Sequence, residues 1–210
     1  MDVEKSYFAV SRIFKVWVRA IEYHTRQLEA LDSGPLGTRR LIISPPTDAG
    51  LPLLVGANTH GKTELLCFSD RTEQIAAAFC RTHQIDALVT RVEPFSGIPA
   101  PDQGLSAVYA NCLFDFCAEP HVDSMLDEIW RVLEPNGVLF AVYMDHSTHF
   151  GGRLWTSIFD RFSLLSNGCH PVSIVPNLAR RGFQILSDMP ADKFGFPLRY
   201  VVSEKPARVA

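Results

Sequence analysis

The sequence contains no Cys-x-x-Cys pair, and its five cysteines, at positions 67, 80, 112, 117 and 169, stand apart. An odd count without paired spacing argues against a disulfide framework and against a zinc site, and fits a reducing compartment. No apolar run is long enough to span a membrane. The start, MDVEKSYFAV, lacks the apolar core of a signal peptide. These absences lead to the expectation of a cytoplasmic protein without a bound metal. Positive charge is not in excess either. Lysine and arginine total 20 against 23 acidic residues, a formal net charge of -3, so the electrostatic footprint of a nucleic-acid binder is missing. The pairs Arg39-Arg40 and Arg180-Arg181 are isolated and read as solvated surface. There is no internal repeat and no low-complexity segment.

What is present is ordinary globular material. The chain has 210 residues, 47% of them hydrophobic, enough for one domain with a sizeable core. Its most informative stretch is HVDSMLDEIWRVLEPNGVLFAVYMD, His121 to Asp145. Val122, Met125, Leu126, Ile129 and Leu133 recur at helical spacing, so one stripe faces a core. Pro120 suits the first turn of that helix, and Asp123 sits near its positive end. Pro135 cannot continue the helix, and Gly137 is expected to take the left-handed conformation after it. Val138 to Met144 is then almost uniformly apolar, the pattern of a strand covered on both faces.

The rest follows the same alternation. Residues 3–31 read as one or two helices with Phe8, Ile13, Phe14, Trp17, Ile21 and Leu28 on one face, closed by the turn Asp32-Ser33-Gly34-Pro35. Strand one is expected at Arg39 to Ser44, a short helix within Leu51 to Gly61, and strand two at Thr63 to Asp70. A helix follows at Arg71 to Gln84, with Ile75, Ala78 and Phe79 inward. Strand three falls within Ile85 to Phe95, and strand four with its exit within Gly104 to Phe116. Alternating strands and helices argue a parallel sheet with helices on both faces, whose ligands sit beyond the carboxyl ends of the strands. Gly56 to Thr63 fits the spacing of a phosphate loop, G-x-x-x-x-G-K-T. A phosphate loop must open a long helix, however, and ELLCFSD reads as a strand, so the match is read as chance.

The block LDEIWRVLEPNG resembles the "L-x-E-x-x-RVLKPGG" element that precedes strand five in class I S-adenosylmethionine (SAM) dependent methyltransferases. The matching positions are Leu126, Glu128, Arg131, Val132, Leu133, Pro135 and Gly137. The resemblance is nearest to the branch of ubiquinone/menaquinone-biosynthesis and thiol methyltransferases. Gly182-Phe183 and the Asn167-Gly168-Cys169-His170 run are similar to later elements of the same group. The resemblance implies an α/β three-layer sandwich with a mostly parallel seven-stranded, Rossmann-like sheet, the last strand antiparallel near Pro197 to Pro206. Residues 1–37 would be a helical lid and 38–210 the methyltransferase-like domain.

The resemblance also implies a SAM site. Its residues would be Ser44, Asp48 and Gly50 in the turn after strand one, Asp70 after strand two, Glu93 after strand three and Asn111 at the exit of strand four. The turn departs from the family's "D-x-G-x-G-x-G". Ser44 stands for the acid, Pro46 and Asp48 replace two glycines, and Gly50 alone is kept. Asp70 serves equally well as the cap of the helix that follows, and Ser69 competes for its position in the family pattern.

Methyl transfer needs an aligned acceptor and sometimes a base. His146 is the candidate base, oriented by Asp145, with Tyr143 and His149 nearby; His170 is a further neighbour. Two functions stand side by side. One is SAM-dependent methylation of a small, fairly apolar molecule. The other is a methyltransferase fold without normal SAM use, serving as a SAM-independent cyclase or isomerase or as a non-catalytic partner subunit. Assembly as a homo- or hetero-oligomer is open on the sequence.

Overall fold

The computed structural model describes residues 39–43, 61–94, 96–146, 157, 170–193 and 196–207. Seven strands form one sheet: β1 Arg40–Ile43, β2 Thr63–Cys67, β3 Ala87–Arg91, β4 Leu105–Asn111, β5 Leu133–Met144, β6 Gln184–Lys193 and β7 Phe196–Glu204. Three helices lie among the described residues: α1 Asp70–His83, α2 Glu119–Val132 and α3 Val175–Arg180. The strand order is β3-β2-β1-β4-β5-β7-β6. Strands β3, β2, β1, β4 and β5 run parallel, and β7 is antiparallel to both of its neighbours.

Alternate residues of the central strands feed two cores. Leu41, Ile43, Val108, Ala110, Leu139 and Ala141 share one core with Met125, Leu126 and Ile129 of α2 and Leu178 of α3. Ile42, Leu65, Tyr109, Phe140 and Val142 share the other with Ala76 and Cys80 of α1. Helices therefore cover both faces, and the central strands need apolar side chains on each.

The junction of α2 and β5 explains the most informative stretch of sequence. Glu128 and Arg131 face the β3–β4 connection. Glu128 Oε2 accepts the Ile98 N–H at 2.9 Å, while Arg131 donates to the carbonyls of Ile98 (2.8 Å) and Ala100 (2.9 Å) and pairs with Asp102 (2.7 Å). The Glu and Arg of the block are thus a structural clamp, which accounts for their spacing without any catalytic role. At the end of α2, Lys205 Nζ donates to the carbonyls of Trp130 (2.7 Å) and Leu133 (2.6 Å), groups that a helix end leaves without internal partners.

The left-handed residue at this junction is Asn136, at φ 64°, and not Gly137 as expected. Asn tolerates that region because its short polar side chain bonds locally. Gly137 answers a different need. A Cβ there would lie 2.8 Å from the Glu134 carbonyl oxygen and 3.2 Å from that of Leu105, so only a bare backbone fits. The ladder shows the cause: Leu105 pairs with Leu133 and Ala107 already with Val138, so the residues between Leu133 and Val138 bulge out of register.

Four further expectations are corrected. Strand β2 ends at Cys67, before Asp70. The buried stripe of α1 is Thr72, Ala76 and Cys80, and Ala78 is exposed. Small residues at four-residue spacing let this helix approach the sheet closely, with Ile75 and Phe79 partly buried on its flanks. Asp70 does not cap α1. Ser69 does, in a reciprocal box with Thr72 whose backbone N–H donates to Ser69 Oγ at 3.2 Å. Asp123, expected to serve the positive end of α2, instead accepts from Asn177 at 3.0 Å and pairs with Arg181 at 2.9 Å. Lys62 stands immediately before β2, at its amino end, and its carbonyl accepts the Arg40 N–H. No helix starts there, which disposes of the phosphate-loop match. The expected N-terminal helices, the helix within Leu51 to Gly61, and most of residues 146–169 lie outside the described residues.

Candidate active site

The chain proceeds from β1 outward to β2 and β3, then returns to the other side of β1 for β4 and β5. The reversal leaves a crevice between the carboxyl ends of β1 and β4, the switch point where such sheets bind ligands. Arg40 to Ile43 pair with Ala107 to Ala110, so the residue after Ala110 stands beside the start of the turn after β1. That residue is Asn111, buried to 1% exposure. Ser44, Asp48 and Gly50, which follow β1 in the chain, lie outside the described residues. Cys112 then adopts φ 50°, a left-handed backbone unusual for a non-glycine residue, while its N–H donates to the Val142 carbonyl at 2.7 Å.

The strand exits on the other side of β1 carry an ionic group. Arg91, the last residue of β3, pairs with Asp70 at 3.0 Å and with Glu93 at 3.2 Å. Two of the expected cofactor residues are therefore brought together, across the β2 and β3 exits, by an arginine that no local pattern singles out. All three side chains are solvent-exposed, so these pairs add little to stability and remain available to a ligand.

On the opposite side, β5 ends at Met144 and delivers Asp145 and His146. Asp145 is held by Arg199 of β7, which also makes a two-pronged contact with Asp188 of β6 at 2.6 and 2.7 Å. These carboxylates hold the Arg199 guanidinium's pKa above its ordinary value. The second Asp145 oxygen accepts the backbone N–H of His146 at 2.8 Å. Asp145 therefore fixes the chain entering His146 and is not bonded to the imidazole, which corrects the orienting role expected for it. His146 is exposed, and His149 lies outside the described residues. Tyr143 is fully buried. Burial, with the Asp145 charge adding to it, raises its pKa and keeps the phenol protonated.

One residue at this edge was not anticipated. Asp115, in the 3-10 turn Phe114–Phe116 after β4, is buried to 3% exposure. Its Oδ1 accepts the N–H of Met144 at 2.7 Å, and its carbonyl accepts that of His170 at 3.0 Å. Burial pushes its carboxyl up to about 7, against the lowering effect of the Met144 and Cys112 hydrogen bonds. Burial, and next the Asp115 charge, push the neighbouring Cys117 thiol up to about 12, so it is no nucleophile. The one sequence signal for Asp115 was a lone acid inside the apolar run CLFDFC.

Among the described residues no cluster of three or more His, Cys, Asp or Glu could hold a metal ion, and no helix is long and apolar enough to cross a membrane.

Residues 52–141 match the family model described as a methyltransferase domain. The chain has the fold of class I methyltransferases. The matched span begins after β1 and its turn and ends inside β5, so it rests on β2 to β5 and not on residues 44–50. No curated protein matches the chain in sequence. Among solved structures, the chain is similar to a SAM-dependent methyltransferase from Aquifex aeolicus, with TM-score 0.70 and 15% identity over 98% of this chain and 99% of that one. The [4+2]-cyclase SpnF is similar at TM-score 0.70 and 16% identity, over 89% and 81% of the two chains. So is the protein crystallised with the Trm112 methyltransferase activator of Haloferax volcanii, at TM-score 0.69 and 16% identity over 94% and 97%. At these identities the likeness is one of fold.

Proposed function

We propose that the protein is a SAM-dependent methyltransferase acting on a small, fairly apolar acceptor. The observation that carries this reading is the switch-point crevice between β1 and β4, opened by buried Asn111 and the left-handed Cys112, within a methyltransferase domain. The described residues fit SAM in part. Asp70 offers a carboxylate acceptor for the ribose hydroxyls at the β2 exit, Glu93 a polar group for the adenine at the β3 exit, and Asn111 an amide at the switch point. When bound, SAM supplies an electrophilic methyl group. The chain's part is to align the acceptor, exclude water and, for a hydroxyl or thiol acceptor, remove a proton. His146, exposed where β5 leaves the sheet, is placed for that last task. An imidazole there can accept a proton from an acceptor without a tight partner of its own. Tyr143, Asp145 and Arg199 support it by fixing the end of β5. On this reading Phe14 and Trp17 line the acceptor pocket and His149 stands by His146 as a catalytic neighbour; all three lie outside the described residues.

A second reading rests on the turn after β1. Pro46 and Asp48 stand where the family has glycines, and Ser44 where it has the acid that pairs with the methionine ammonium. The protein would then be a SAM-independent catalyst, a reading for which the similarity to a [4+2]-cyclase is suggestive, or a subunit that serves a partner. Calorimetric titration with SAM and with S-adenosylhomocysteine separates the two readings. Binding that weakens on Asn111→Ala supports the first, and no heat from either ligand supports the second.

A further inference from the structure

The Asp115 carboxyl lies between the two strand exits that bracket the proposed ligand space on the β4–β5 side. Its side chain holds the Met144 N–H at 2.7 Å, the last residue of β5 before Asp145 and His146. Its own turn begins with Cys112, three residues earlier, which takes the left-handed backbone at the switch point. Its carbonyl holds the His170 N–H, and Val172 N–H in turn bonds the Met144 carbonyl at 2.9 Å. Three segments therefore meet on one residue: the β4 exit, the β5 end and the irregular run leading to α3. An amide at the end of a strand is easily satisfied by water or a backbone carbonyl. A carboxyl buried to 3% exposure is a costly substitute, and such groups concentrate where geometry at a site must be fixed.

We infer that Asp115 is a positioning residue of the cofactor and acceptor edge, locking the end of β5 to the β4 exit turn through its buried side chain. The inference rests on the methyltransferase reading above. It assigns Asp115 no contact with the reacting atoms. The group acts by fixing Cys112 and Asn111 on one side of the crevice and Asp145 and His146 on the other. The titratable groups around it are the Cys112 and Cys117 thiols of its own turn, Tyr143 and Asp145 flanking Met144, Arg199 behind Asp145, and His170 ahead of α3. Burial outweighs the hydrogen bonds from Met144 and Cys112, so the carboxyl changes state near neutral pH and the lock is proton-linked.

The test is calorimetric titration of S-adenosylhomocysteine into the full-length wild type, Asp115→Asn and Asp115→Leu, at about pH 6 and about pH 8, with amide hydrogen exchange on the same proteins. Asparagine keeps the acceptor oxygen, so its affinity should stay within about threefold of wild type and lose the difference between the two pH values. Leucine should bind at least about tenfold more weakly. It should also speed exchange at Met144 and Cys112 while leaving Val108 and Tyr109, deeper in β4, protected. If Asp115→Leu does not fold, Asp115→Ser, too short to reach the amide, replaces it. A leucine variant that binds and exchanges like wild type overturns the inference, as does an asparagine variant no better than leucine. If wild type itself gives no heat, the SAM reading falls on its own. The exchange pattern then still decides whether Asp115 locks the two exits.

Discussion

The Asp115 carboxyl and the Met144 amide are joined at 2.7 Å inside the protein, where the fourth and fifth strands leave the sheet. The stability of the folded state should carry the signature of that buried acid. The folded protein holds the proton up to about pH 7, whereas an unfolded aspartate releases it near pH 4. Between these values the folded form binds more protons than the unfolded, so its stability falls as pH rises, and the loss is complete above the folded value. Asp115→Asn removes the titration. Its melting temperature should therefore gain on wild type as pH is raised from about 5 to about 8. A constant gap across that range would show that the carboxyl is ionised throughout.

The clamp built by Arg131 makes a structural prediction. Arg131→Met keeps the stem but leaves the carbonyls of Ile98 and Ala100 without their guanidinium donor and the Glu128 carboxylate with the Ile98 N–H alone. We expect a loss of about 1–3 kcal/mol, read by chemical denaturation, with ligand affinity unchanged because the clamp lies at the amino ends of the strands. A change in affinity without a change in stability would contradict this assignment.

Gly137→Ala should cost about 1–3 kcal/mol, because the added Cβ meets the Glu134 carbonyl at 2.8 Å. Asn136→Gly should be close to neutral, since glycine takes the positive φ more easily still. The reverse ranking in denaturation experiments would place the demand for glycine one residue earlier.

His146→Ala should leave the melting temperature within about 2 °C of wild type, since the side chain is exposed. It should also depress turnover of a hydroxyl or thiol acceptor by about 100-fold or more. Equal turnover would remove His146 from the chemistry.

The elements were legible where the signal is local. The helical stripe Val122, Met125, Leu126 and Ile129 and the apolar run Leu139 to Met144 are buried as their periodicity implied, with Val138 partly buried at the start of the run. The resemblance carried by Leu126, Glu128 and Arg131 pointed to the right fold because those residues secure an element junction that the fold requires. Legibility failed where tertiary packing decides. Ala78 was placed inward because the apolar residues of α1 suggested that face. The sheet instead takes the small residues Ala76 and Cys80, which permit close approach. The site was legible mainly as strand exits. Asp70, Glu93 and Asn111 do lie on one edge, since topology alone puts them there. Their partners were invisible: Arg91, Arg199 and Asp115 acquire meaning only when strands distant in sequence are set side by side.

The most direct measurement is a calorimetric titration of the purified protein with SAM, repeated on Asp48→Asn. Ser44 cannot supply the charge that pairs with the methionine ammonium, and a charge-assisted hydrogen bond is worth about 1.5–3 kcal/mol net. That loss weakens binding by roughly ten- to a hundredfold, before any steric cost from Pro46 and Asp48. We therefore expect binding in the range of about 1 µM to 1 mM, weakened further in Asp48→Asn, where the neighbouring carboxylate no longer substitutes for the missing acid. Submicromolar binding that ignores the substitution would show the turn to be wrongly read, and the absence of any heat at millimolar SAM would contradict the SAM-dependent methyltransferase itself.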